Sequence, residues 1–481
     1  MDMDRERSNR GKNKRQLKSA LMAVALAAIF MVIIAAVLVV SGDGKKSEDT
    51  VLGEQEARKE TREAAEETGE VTGKQAELGV SENSITFQQD DKKGEMTNEA
   101  PFDEEISGQD QGKEIDPERY EEEYEEGLKR EAEDILSRMT LEEKVYQMFI
   151  ITPEQLTGAE SLTAAGDTTK DSLQKYPVGG LVYFSNNLTS VEQTSEMLEN
   201  SQGYALEIEG LPLFLCVDEE GGRIARIANN SSFGVEKVKA MGDMESAEEA
   251  FKAGSVIGGY LSGLGFNVDF APDADVLTNP ENKVIGDRSF GDDPEIVTEY
   301  AAAYSDGLHQ SGVLSTFKHF PGHGATAGDT HEGFAYIDKT LEELKENELV
   351  PFAAAKDQNI DMVMVSHISV PDILGDNTPS TLSEYMITGV LREEMGYEGL
   401  IITDAMNMGA ITSTYDDSQA VIDAVNAGVD LVLMPVDFQS ASDAVVAAAK
   451  SGEIDSASID ESVKRIIVKK LHLMEKMREN G

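Results

Sequence analysis

GLIITDA, residues 399–405, is apolar through its middle and closes on a carboxylate, Asp404. A strand with one wet face alternates apolar and polar residues. This run does not alternate, so it suits a parallel strand covered on both faces. Seven other runs share its character: QMFII (147–151), GGLVYFS (179–185), LPLFLCVD (211–218), FNVDFAP (266–272), LSTFKHF (314–320), DMVMVSH (361–367) and DLVLMP (430–435). Helical stretches separate them, among them SVEQTSEMLENSQGYALE, SAEEAFKAGSVIGGYLSGLG and LEELKENELVPFAAAKDQ. Eight strand–helix units in roughly 350 residues predict an α/β fold of the (β/α)8 barrel type. An open doubly wound sheet is the alternative. No G-x-G-x-x-G follows the first run, which weakens a dinucleotide site.

Barrel chemistry gathers at the carboxyl ends of the strands. Asp218 closes the third run, and Asp269 and Asp273 lie in or just after the fourth. Lys318 and His319 end the fifth, His367 the sixth and Asp404 the seventh. Packing requires no polar residue at these points, so five such endings predict a shared polar mouth. The segment KHFPGHGATAGDTH (318–331) follows directly. It holds His319, His323 and His331, three of the six histidines in the chain, with Asp329 two places before the last.

The remaining sequence sets limits. The formal net charge of −49 excludes a nucleic-acid partner, because phosphates need Lys and Arg. Cys216 is the only cysteine, which excludes intramolecular disulfides and Cys-based zinc sites. Residues 1–20 form a basic segment with seven Lys/Arg against three Asp/Glu. Residues 21–40 are twenty uncharged apolar residues, enough at ~1.5 Å each to cross a bilayer core of ~30 Å. They predict an uncleaved single-pass membrane anchor with a cytoplasmic N-terminus and an extracellular remainder. A cleaved signal peptide, giving a secreted protein, is the alternative. Residues 41–130 carry 28 acidic against 12 basic residues and few aromatics, which predicts a disordered acidic linker. The folded part is expected over 131–481.

A mouth rich in His and Asp admits two chemistries. Neutral imidazoles and carboxylates are good Zn²⁺ ligands. However, the early strands contribute no histidine, so no metal and no other cofactor is expected. Glycoside hydrolysis instead needs one group to attack the anomeric carbon and one to protonate the leaving oxygen. Asp404, on a rigid strand end, suits the first. His331, with Asp329 able to bind one ring nitrogen, suits the second. Alone, His331 would read as an exposed loop histidine.

VDEEGGRIARI (217–227), NVDFAPDADV (267–276), IGDRSFGDDP (285–294), KHFPGHGATAGDTH and LIITDAMNMGAI (400–411) occur in the order seen in family 3 glycoside hydrolases. MTLEEKVYQMF (139–149) resembles the family opening. The set resembles the bacterial β-N-acetylglucosaminidase branch over residues 131–478. The resemblance implies a single catalytic barrel with Asp404 as the nucleophile of a covalent glycosyl-enzyme. It implies His331 and Asp329 as the acid/base dyad. Asp218, Arg226, Arg288, Lys318 and His319 are then the residues that grip a terminal N-acetylglucosamine. Arg223 is expected to pair with a neighbouring carboxylate, and His323 and Pro321 to shape the turn.

The expected partner is a carbohydrate with a terminal N-acetylglucosamine, and the catalytic domain is expected to be monomeric. A phosphorylase or transglycosidase using the same intermediate is the nearest alternative. A catalytically inactive wall-binding module is an alternative from another class. Muropeptides, chitin fragments and glycoprotein glycans all remain open as the source of the sugar.

Overall fold

The computed structural model describes residues 117–326 and 335–480. The strands run in chain order as β1 (Phe149–Ile151), β2 (Gly180–Val182), β3 (Phe214–Val217), a hairpin of β4 (Glu219–Gly221) and β5 (Ile224–Ala225), then β6 (Val268–Asp269). They continue as β7 (Thr316–Phe320), β8 (Ala335–Tyr336), β9 (Met362–Val365), β10 (Ile368–Ser369), β11 (Leu400–Thr403) and β12 (Val432–Leu433). Each of the eight apolar runs contains one strand. These pair in parallel in the orders β12-β1-β2-β3-β6 and β11-β9-β7. Parallel bridges Val268↔Leu314 and Ile402↔Leu431 join the two sets end to end. The strands therefore follow one another round a ring, as in a (β/α)8 barrel.

The connecting helices start and stop where their sequence dictates. In chain order after α1 (Pro117–Arg138), α2 (Val191–Glu209) begins at Ser190, whose hydroxyl accepts from Gln193 N–H, and stops at Gly210. Ser246 caps α3 (Ala247–Leu264), and Asp293 with Pro294 opens α4 (Pro294–His309). Helices α3 and α4 meet backbone to backbone. A Cβ on Gly254 would lie 2.0 Å from the Tyr304 carbonyl oxygen, and one on Gly307 would lie 2.3 Å from that of Phe251. Only glycine permits this approach.

The long C-terminal helix α5 (Ser456–Asn480) ties the amino ends of three strands together. Lys469 reaches Asp361 at 2.9 Å, Arg465 reaches Asp430 at 2.9 Å, and Lys470 donates to Gln147 Oε1 at 2.7 Å. These partners lie just before β9, β12 and β1. Burial pushes the Lys470 ammonium down to about 7.

Helix α1 departs from the sequence reading, because it begins inside the stretch expected to be linker. Its apolar residues Tyr124, Leu128, Ala132 and Ile135 recur at helical spacing and form a single stripe. Leu128 and Ala132 are buried. Tyr124 meets His472 of α5 at a ring separation of 6.0 Å, and His472 pairs with Glu125 at 3.2 Å. The surrounding glutamates mask that stripe in any count of composition. The candidate anchor, residues 21–40, lies outside the described residues, as does the linker up to residue 116. No helix among the described residues is long and apolar enough to cross a membrane.

A protein truncated to begin at Pro117 is expected to melt like the longer chain, whereas one beginning at residue 139 should melt lower. Leu128→Ala should cost about 2–3 kcal/mol, the low end for truncating a buried leucine, in chemical denaturation.

Candidate active site at the carboxyl ends of the strands

Three acids in succession, Asp218, Glu219 and Glu220, follow β3, and each has a different task. Glu219 is buried in the hairpin. Its carboxylate accepts N–H bonds from Arg226, from Ile227 at 2.8 Å and from Ala228 at 2.8 Å, together with the Tyr260 hydroxyl at 2.8 Å. Burial raises its pKa, and these hydrogen bonds oppose that. The result is a rigid hairpin that delivers Arg226 to the mouth. Asp218 accepts from Lys318 Nζ at 2.9 Å and lies 3.6 Å from Arg226 Nη2.

Glu220 is buried between two cations. Arg288 Nε and Nη2 donate to its two oxygens at 2.8 and 2.7 Å, and Lys318 Nζ lies 2.7 Å away. Burial alone would push Glu220 up, but the Arg288 and Lys318 charges hold it below the usual carboxylate range. Arg288 is carried by the loop after β6. Arg223, from the hairpin, steadies that loop by pairing with Asp287 at 2.9 Å and donating to the Val284 and Ile285 carbonyls at 2.6 and 3.0 Å.

His319 lies beside this pair. Its Nδ1 is 2.7 Å from Asp275 Oδ2, and its Nε2 faces Arg288 Nη2 at 3.4 Å. The carboxylate accepts, so Nδ1 bears the proton and Nε2 presents a lone pair. Burial, then the Arg288 charge, pushes His319 down to about 4, so the ring is neutral near pH 7. Asp275 also accepts the His323 backbone N–H, which fixes the turn after β7. The His323 ring itself engages Thr326 Oγ1 at 3.0 Å and shapes the turn.

Asp404, half-buried at the end of β11, donates its backbone N–H to Val365 at 2.8 Å. Its Oδ1 accepts the Ala405 N–H at 2.7 Å. Strand β11 neighbours β9 and β9 neighbours β7, so Asp404 stands at the same end of the ring as Lys318 and His319. The structure therefore brings together Asp218, Arg226, Arg288, Lys318, His319 and Asp404. Asp329 and His331 lie outside the described residues. Sequence reasoning missed Glu220, which joins two grip residues, and Asp275, which sets the His319 tautomer. Three consecutive acids after an apolar strand were the available signal for the first.

Asp273, Asp275 and His319 have donor atoms within 4.8 Å of one another and are all buried. By type they would suit a cation. Arg288 Nη2 stands 3.5 Å from Asp273 and 3.4 Å from His319, so a guanidinium already supplies the positive charge there. Dialysis against EDTA should leave the rate of a natural-sequence preparation unchanged. A loss restored by Zn²⁺ would make this a metallohydrolase.

The chain matches the Glycosyl hydrolase family 3 N terminal domain over residues 140–468. It is 35% identical over 305 residues to Beta-hexosaminidase A of Pseudoalteromonas piscicida, covering 59% of this chain and 50% of that protein. It is 35% identical over 268 residues to Beta-hexosaminidase LpqI of Mycobacterium tuberculosis, covering 54% and 68%. A family 3 β-N-acetylglucosaminidase structure from a Paenibacillus species superposes with a TM-score of 0.65 at 35% identity, covering 71% of this chain and 64% of that one. The matched part spans half the length of the first relative and under two thirds of the Paenibacillus structure.

Asp273 generates a pH prediction. Burial, then the neighbouring Asp275, pushes it up to about 8, against the opposing pull of Arg288. Below pH ~4 the group is protonated folded or unfolded; from there to its folded value only the unfolded chain releases the proton. Its contribution to stability is therefore lost as pH rises through that window, at up to about 1.4 kcal/mol per pH unit. Asp273→Asn should flatten this decline in denaturant titrations taken across that range.

Proposed function

The chain belongs to glycosyl hydrolase family 3, and on that premise we propose that it is a retaining exo-β-N-acetylglucosaminidase. Its substrate is a terminal N-acetylglucosamine on cell-wall-derived or related glycans. The observation that carries this reading is the shared mouth: Asp404 follows β11 at the same end of the ring where β7, two strands round, bears the His319 that meets Arg288, which Glu220 links to Lys318. The β-hexosaminidase relatives support the acetylated sugar.

In this reading the sugar hydroxyls bind to the more accessible Asp218 and Arg226, with Lys318 and the His319 lone pair behind them. Asp404 attacks the anomeric carbon as the bond to the leaving oxygen breaks. His331, oriented by Asp329, gives that oxygen its proton. The same histidine then takes a proton from the water that attacks the glycosyl–Asp404 ester. This frees the carboxylate and releases the sugar with its configuration retained. The fixed charges around the site cost little reorganisation as charge develops on the ring. Residues 21–40 are proposed to anchor the barrel outside the membrane, within reach of wall fragments.

Asp404 and His331 should fail differently. Asp404→Ala should abolish the covalent intermediate with every substrate. His331→Ala should form it readily from an aryl glycoside, whose leaving group hardly needs the proton, and then accumulate it because water lacks a base. General acid–base help is worth roughly 10²–10⁴-fold, so aryl and natural disaccharide substrates should separate by much of that range. Azide should partly rescue His331→Ala but not Asp404→Ala. Product release that depends on added phosphate would instead identify a phosphorylase.

A further inference from the structure

His367 follows β9 and is fully buried. A buried histidine needs both ring nitrogens satisfied, and many arrangements would do that. The partners here point to the site. Nε2 lies 3.0 Å from the carbonyl oxygen of Ala405, the residue after Asp404. Nδ1 lies 2.6 Å from Thr381 Oγ1. A carbonyl only accepts, so Nε2 carries the ring proton, and in the neutral ring Nδ1 accepts from the Thr381 hydroxyl. Thr381 Oγ1 also lies 3.2 Å from the Ser366 carbonyl, so the hydroxyl bridges the ring and the strand end before it.

These bonds reach the catalytic carboxylate in two steps. The Ala405 carbonyl accepts from His367, and the Ala405 N–H donates to Asp404 Oδ1 at 2.7 Å. On either side the backbone is tied to neighbouring strands: Asp404 N–H to Val365 at 2.8 Å and Met406 N–H to Leu433 at 2.9 Å. Between those ties, the Ala405 carbonyl takes two donors, the Met408 backbone N–H at 3.0 Å and the His367 ring. Removing the ring would leave the carbonyl with the Met408 N–H alone and open a cavity on its other side, which lets the adjoining peptides shift toward the space.

We propose that His367 is a positioning residue for the nucleophile. Thr381 steadies the ring, the ring helps hold the Ala405 carbonyl, and the Ala405 N–H thereby aims the Asp404 carboxylate at the anomeric carbon. This rests on the reading of Asp404 as nucleophile. The sugar-gripping residues belong to β7 and to the loops after β3 and β6, so their geometry is independent of this lever.

The test uses the full chain and dinitrophenyl β-N-acetylglucosaminide, with the rate of glycosyl-enzyme formation read from the burst and from mass spectrometry of quenched enzyme. Wild type should be labelled on Asp404; labelling elsewhere would overturn the functional reading and this proposal with it. With the wild type labelled there, His367→Ala should form the intermediate roughly 100-fold more slowly, the effect expected of a ~1 Å misplacement. Inhibition by free N-acetylglucosamine should stay within about twofold, because ground-state binding is untouched. His367→Gln, whose amide N–H can reach the same carbonyl, should recover much of the rate. Thr381→Val, which removes the second partner of the ring, should lose part of it. An unchanged burst in His367→Ala, or a parallel loss of N-acetylglucosamine binding, would overturn the proposal. If His367→Ala does not fold, Thr381→Val decides: a wild-type burst rate in that variant counts against the proposal, and a slowed burst with unchanged inhibition supports it.

Discussion

Glu220 holds together the mouth of this barrel. Its one carboxylate receives a two-pronged guanidinium from the loop after β6 and an ammonium from β7, and it sits itself just after β3. Three successive stations on the ring are thus joined through a single anion. Taking Arg288 and Lys318 out of water is tolerable only because that anion, with Asp218, answers them. Without Glu220 two buried cations would repel each other with one counter-charge fewer, and the mouth would open.

The same balance sets the states of the neighbouring groups. Burial, with the Arg288 charge beside it, keeps His319 neutral, so the ring offers a lone pair rather than a charge, and Asp275 decides which nitrogen offers it. Asp273 has a guanidinium nearby but is too buried to ionise readily. Polar residues of this density are costly in a protein interior unless each is answered. Here most are answered across loops, so the site is rigid before a ligand arrives. The opposite end of the barrel uses a similar device for another purpose. Asp361 takes His309 and Lys469, Asp430 takes Arg392 and Arg465, and these bonds fasten α5 across the strand starts.

The eight strands were legible because each is buried on both faces and so reads as an unbroken apolar run. Their polar ends were legible because Asp218, Lys318, His319 and Asp404 break those runs where a barrel has no packing need for them. Helix α1 was not legible by composition: its stripe of Tyr124, Leu128 and Ala132 lies among glutamates, and its value comes from the face of α5 that it covers. Glu219 and Glu220 are adjacent and chemically alike. Nothing local tells that one folds the hairpin while the other anchors two cations. His367 read as one more polar strand end, since its bond to Ala405 joins residues from different strands.

The sequence alone therefore determined the architecture and the end of the barrel where polar groups collect. Those properties follow from local patterning and from where charge interrupts apolar runs. Which carboxylate meets which cation, which nitrogen of His319 bears the proton, and what orients the Asp404 carboxylate were decided only by the tertiary structure. Each is a contact between residues far apart in the chain. Its energy depends on burial and distance, and neither is defined until the ring closes.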